Sequence, residues 1–335
     1  MKKWTPPQDV DRIQALGPDC PSQLERILLE CFQPLPKPKA GDWLAKGAPG
    51  DQNGDRRGQT LTQFCRPGPH RNFPSKHCNT IYLVPVGAVD GAPPVEVLAE
   101  CLHAHFGLEV KTAKPLTKKE MADVNFHQDN AGFGPQLETS TVHDVLSKCR
   151  KPRDAWATVG YTMYDLCNTA SGFGFVFGEA RSDKCTGIFS FARYMETGIS
   201  QSQFLRRCCM VLAHEVTHLF GIKHCVFARC LMNGSNHLEE SESRPFAVCP
   251  VDLRKILDSL KPTGGLCPEQ RELNLLAFFV KHGLDEDAAL SRARLLVMGV
   301  QAPVVEFQKC SLLSLENTDS EVEQRNEAEA VGSTQ

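Results

Sequence analysis

The chain lacks any run of about 18 apolar residues, the length a bilayer-crossing helix needs, so no membrane partner is expected. Its opening residues, Met1-Lys2-Lys3-Trp4-Thr5-Pro6-Pro7, lack the apolar stretch of a secretory leader. It also lacks a surplus of positive charge: the formal net charge is −3, so no nucleic-acid partner is expected. These absences predict a soluble intracellular protein, cytoplasmic or nuclear and not secreted. Cysteine, by contrast, is abundant at 15 of 335 residues. Without a leader, that count reads as free thiols and metal ligands in a reducing compartment, not as a disulfide framework.

Histidine is sparse, at 11 residues, yet three fall within one stretch of eleven: His214-Glu215-Val216-Thr217-His218-Leu219-Phe220-Gly221-Ile222-Lys223-His224. On a helix His214 and His218 lie one turn apart on one face, where both imidazoles reach one ion. Gly221 tolerates positive φ, so it can end the helix and turn the chain to bring His224 to the same ion. Three neutral nitrogens and one open position are the donor set of a catalytic zinc. Glu215 need not ligate; its natural role is general base toward a zinc-activated water. This H-E-x-x-H-x-x-G-x-x-H pattern is the metzincin signature. Histidines scattered in a core or on a surface would not produce that spacing.

The residues that follow are more specific. Cys225 comes directly after His224, then Cys230, Met232 and Cys249-Pro250-Val251-Asp252. The arrangement resembles the archaemetzincins, a metzincin branch whose pattern continues HExxHxxGxxHC, four residues, C-x-M, then a later CxxC. Residues 214–232 match throughout. Leu231 to Glu240 and Gly187 to Tyr194 look like the vertebrate members, and the resemblance spans roughly residues 75–260. It implies a metzincin-like zincin fold and a zinc metalloprotease acting on a peptide or protein. It also implies a second, structural zinc, and an apolar floor under the histidines that includes Met232. The match weakens at Asp252, where the family has cysteine. Asp252 can supply an oxygen ligand, and the expectation is a second site of Cys225, Cys230, Cys249 and Asp252. The alternatives are Cys267 folding back, or a weak or lost site. The resemblance also implies that Gly187–Ala192 is the edge strand along the cleft; the sequence alone allows an ordinary packed strand equally well. Asp165 reads as a turn residue, His237 as an exposed loop histidine, and Glu239, Glu240 and Glu242 as a solvated acidic face. No substrate-binding residue is assigned.

The alternation of strands and helices predicts an α/β (α+β) fold with a mixed sheet and a long helix over Ser200–Phe220. The resemblance implies that the sheet is twisted, that this is the active-site helix, and that a smaller C-terminal subdomain follows it. Residues 1–74 read as an N-terminal extension, partly irregular, with one helix near Pro21–Cys31. Its Pro- and Gly-rich stretch 34–59 reads as a mobile insert. Residues 75–262 form the catalytic domain, 263–314 a C-terminal helical segment, and 315–335 a disordered acidic tail. The functional expectation is peptide-bond hydrolysis with Glu215 as base. The alternative is a catalytically weak, zinc-stabilised binding module. Retention of Glu215 argues against the alternative, because zinc binding alone does not need that carboxylate.

Overall fold

The computed structural model describes residues 4–45, 57–66, 72–128, 132–148, 152–172 and 174–302. The predicted tail, 315–335, lies outside them. In chain order the elements are α1 (Asp9–Leu16), α2 (Ser22–Cys31), α3 (Leu61–Phe64), β1 (Thr80–Pro85), α4 (Val95–Phe106), β2 (Glu109–Thr112), α5 (Lys118–Met121), β3 (Phe126–His127), β4 (Gln136–Glu138) and α6 (Thr139–Lys148). Then come β5 (Ala155–Thr162), β6 (Asp165–Cys167), β7 (Gly178–Arg181), β8 (Thr186–Ser190), α7 (Gln201–Leu219), α8 (Leu238–Glu242), α9 (Pro250–Leu260), α10 (Pro268–Lys281) and α11 (Asp285–Val297). Among the described residues no helix is long and apolar enough to cross a membrane.

Five strands form one sheet in the order β2-β1-β5-β8-β7. Its pairs are parallel except β7 with β8. A small second sheet runs β3-β4-β6. Val84, Val86, Leu137, Val142, Leu146, Leu166 and Ile188 close a core on the side of α6. The larger core holds α4, α7 and the C-terminal helices. A mixed sheet with helices on both faces follows from strands that are buried nearly throughout, such as β5 and β8.

Three expectations need correction. The edge of the sheet is β7, and the stretch 187–192 contributes the interior strand β8. The physical reason lies in the side chains: all five residues of β8 are buried, whereas Gly-Glu-Ala-Arg of β7 is half-buried and polar. Asp165 is no surface turn; it is fully buried and receives a two-pronged ion pair from Arg193, with both contacts at 2.8 Å. Residues 34–45 are not a mobile insert: Leu35, Trp43 and Leu44 are buried in the main core. The rest of that insert, 46–56, lies outside the described residues.

The N-terminal helices join the C-terminal ones. Buried Arg12 of α1 donates to the carbonyls of Leu28 and Phe32 at the end of α2. Arg254 of α9 donates to the carbonyl of Leu16 at 2.6 Å, and Gln23 of α2 to that of Met298 at 2.8 Å. Helices α10 and α11 pack on each other, α10 against α4 and α11 against α2.

Candidate metal centre and cleft

Helix α7 opens on Ser200, whose hydroxyl accepts the Gln203 N–H at 3.1 Å. It ends at Leu219, and Gly221 then takes φ +79°, a left-handed turn open to glycine at little cost. That turn brings His224 back beside the helix. The ring centroids of His214, His218 and His224 lie 4.6, 4.9 and 5.4 Å apart. A ligating nitrogen from each falls within 4.8 Å of the others.

Two of these rings are held by the backbone. Nδ1–H of His214 donates to the Leu231 carbonyl at 2.8 Å, and Nδ1–H of His218 to the Ile222 carbonyl at 2.6 Å. A carbonyl only accepts, so each Nδ1 carries the proton and each Nε2 presents a bare lone pair. The two Nε2 atoms face each other at 3.0 Å. Two lone pairs that close repel unless a cation lies between them, and tetrahedral zinc ligation at its usual bond lengths places nitrogens roughly 3.3 Å apart. The donor set therefore fits zinc.

Glu215 is buried beside this triad. Burial first, then the charge of Glu179, pushes its carboxyl up to about 8, while the nearby guanidinium of Arg244 opposes the rise. A dication at the histidines would oppose it further. Strand β7 runs close by: a Cβ on Gly178 would lie 2.7 Å from Glu215 Cγ. A cavity of about 430 Å³ opens over His214, Glu215 and His224, walled by Trp43, Phe177 and Tyr194.

Cys225, Cys230, Cys249 and Asp252 form a second, fully buried cluster. Cys225 and Cys249 sulfurs are 3.6 Å apart, and Asp252 Oδ2 is 3.7 Å from the sulfurs of both Cys230 and Cys249. These are the separations of four ligands around one tetrahedral zinc, roughly 3.5–3.8 Å. Burial pushes the Cys225 thiol up to about 12 and the Asp252 carboxyl to about 7. Burial also acts to raise the Cys249 thiol, but hydrogen bonds from Cys225 and Cys230 outweigh it and bring it down to about 5. Lys255 supplies one positive charge, its ammonium donating to Asp252 Oδ1 at 2.8 Å. Cys267 is not in the cluster: it is exposed and faces Glu269.

Of the other singled-out residues, Met232 is fully buried, and its carbonyl accepts the Cys225 N–H at 2.8 Å. His237 is half-buried and caps α8, its Nε2 3.3 Å from Asp42. Glu240 accepts the Trp43 backbone N–H and Glu242 pairs with Arg207, so these two are engaged, while Glu239 is exposed as expected.

Sequence reasoning missed Asn233. Its side chain accepts the Cys230 N–H and donates to the carbonyls of Cys225 and Ala228, all at 2.8 Å, shaping the loop between two thiols. Its place beside Met232, between turn residues, was a usable signal. Trp43, Gln59, Glu179 and Arg244 carried none, because each reaches the site from a distant part of the chain.

Residues 141–257 match the family model Peptidase family M54. Archaemetzincin-2 of Mus musculus is 32% identical over 267 residues, covering 68% of this chain and 70% of that protein. The chain belongs to the archaemetzincins. Archaemetzincin-2 of Homo sapiens is 30% identical over 274 residues, covering 69% and 73%. The archaemetzincin from Methanopyrus kandleri, a solved structure, is 25% identical with a TM-score of 0.43, covering 59% of this chain and 99% of that one. As an archaemetzincin the chain is a metallopeptidase, and its substrate class is a peptide or protein.

Proposed function

We propose that this archaemetzincin hydrolyses peptide bonds with one zinc on His214, His218 and His224, with Glu215 as general base. A second, structural zinc is held by Cys225, Cys230, Cys249 and Asp252. The observation that carries the reading is the pair of bare Nε2 atoms facing each other at 3.0 Å, next to a buried carboxylate. When bound, zinc supplies Lewis acidity, polarising a substrate carbonyl and acidifying water.

The chain's own residues do the rest. Glu215 takes a proton from the attacking water and passes it to the amine nitrogen as the C–N bond breaks. Edge strand β7 pairs with β8 on one side, and its other side has no strand partner among the described residues. An extended peptide adding there by main-chain hydrogen bonds lies next to Glu215. Gly221 and Met232 act through structure, turning the chain and filling the core.

A diverse peptide library with a chelator control, together with zinc content by mass spectrometry, tests this. Wild type should cleave and hold two zincs per chain. Glu215→Gln should keep both zincs and lose about 10²–10⁴-fold in rate. His218→Ala should retain only the thiol-site metal. Unchanged turnover in the glutamine variant would sink the mechanism; a wild type that cleaves nothing would favour a binding role. One zinc per wild-type chain, with Cys225 open to alkylation, would remove the second site.

A further inference from the structure

We propose that two short stretches, 39–45 and 57–60, complete the metal centre from outside the segment matched by the family model. Gln59 holds the turn that delivers His224, and Trp43 fixes the His224 ring. The inference rests on the zinc reading above and extends it to side chains that bind no metal.

Gln59 stands 162 positions before Gly221. Its amide Nε2–H donates to the Gly221 carbonyl at 3.2 Å, and its Oε1 accepts the Lys223 N–H at 3.1 Å. Those two groups bracket Ile222, whose carbonyl accepts from His218 Nδ1. One side-chain amide therefore clamps the turn between the second and third histidines on one side, while His218 grips it on the other. A glutamine suits the task, since it offers a donor and an acceptor at backbone-like spacing. Gln59 is itself well placed. Gly58 has φ +65°, and a Cβ there would come within 2.6 Å of Val226 Cγ2, so the chain presses against the segment just past His224. Thr60 caps α3, accepting the Gln63 N–H at 3.2 Å.

Trp43 braces the same ligand from another direction. It is 3% exposed, and its ring meets the His224 ring edge-on, 5.2 Å between centroids. Behind it lies Gly234, where a Cβ would approach the indole to 2.6 Å, so only glycine leaves room for the ring. The backbone N–H of Trp43 donates to the Glu240 carboxylate at 3.0 Å. Just before it in the chain, the Gly41 carbonyl accepts from the Asn236 amide at 3.1 Å and Asp42 faces His237. The indole is wedged, and the His224 ring is wedged with it. Loss of a group that orients a ligand without binding metal typically costs about ten- to a hundred-fold in metal affinity.

Cobalt(II) loading followed by release to a chelator separates this from ordinary packing. Thiolate charge-transfer absorption reports the cysteine site, and the remaining absorption reports the histidine site. Gln59→Ala should release the histidine-site cobalt about ten- to a hundred-fold faster, with the thiolate band decaying as in wild type. Trp43→Ala should act in the same direction, and Trp43→Phe should restore slow release. Unchanged release in Gln59→Ala and Trp43→Ala, or parallel acceleration at both sites, would overturn the proposal in favour of a purely structural role. Wild-type protein that takes up no cobalt outside the thiolate site would overturn it together with the zinc reading. A protein that retains both metals but cleaves no peptide would defeat hydrolysis alone.

Discussion

His105 and His143 are buried histidines that no site uses, and their environments make them a source of acid lability. Burial, with Arg271 adding to it, lowers His105 to about 3; burial also lowers His143 to about 4, with Glu179 opposing. Nδ1–H of His105 donates to the Cys101 carbonyl at 2.9 Å, with the Cys101 sulfur 3.8 Å away, and its Nε2 has no hydrogen-bond partner among the described residues. His143 Nδ1 meets the Thr186 hydroxyl at 2.8 Å. Above about pH 6.5 both are neutral whether the chain is folded or unfolded, and stability is at its full value. As pH falls below that, the unfolded chain gains protons that the folded chain refuses. Stability is lost progressively down to the folded values near 4 and 3. The expected loss is about 2 kcal/mol per histidine between pH 7 and 5. Urea unfolding of wild type, His105→Gln and His143→Gln at both pH values checks this. Each variant should show a pH dependence smaller by about that amount, and slopes identical to wild type would refute the assignment.

At the scale of elements, the centre depends on how closely β7 passes α7. Gly178 permits that approach, since a Cβ there would reach Glu215 Cγ at 2.7 Å. Gly178→Val should displace the Glu215 carboxylate while leaving the histidines in place. We expect kcat to fall about ten-fold or more with zinc content unchanged, because a general base displaced by about 1 Å loses its alignment. Full activity in that variant would show that β7 does not set Glu215. The elements themselves were largely legible. Helix α7 and its histidines follow from local spacing, and β1 from a short apolar run buried nearly throughout. The edge of the sheet was not legible, because strand order depends on pairings between distant segments. Gly178–Arg181 is only four half-buried residues and carries little pattern of its own. The thiol cluster was legible through Cys225 and Cys230. The ion pair of Asp252 with Lys255 emerges only when both are seen at 0% and 1% exposure.

Across the whole molecule, the first and last helices share one core with the site, so stability is not confined to the family-matched segment. Arg12 shows how. It is 1% exposed, with Asp9 as its ion partner and two carbonyls at the end of α2 as acceptors. Arg12→Leu should cost about 1.5–3 kcal/mol, the range for hydrogen bonds to a charged group. Thermal unfolding should shift as a single transition; a separate early transition would mean that α1 and α2 unfold alone. The clamp of Gln59 on Gly221 has a further consequence, and it concerns time. A ribosome adding about 5–20 residues per second places these two partners on the order of ten seconds or more apart. Throughout that interval residues 57–64 have only α1 to pack on, because α9 and the turn after α7 are not yet made, and part of their apolar surface stays open to chaperones and to neighbouring chains. Closure of the histidine turn therefore waits until Gly221 and Lys223 are made, after the last strand of the sheet. The rate at which this protein matures should depend on that late docking more than on the speed of helix or hairpin formation.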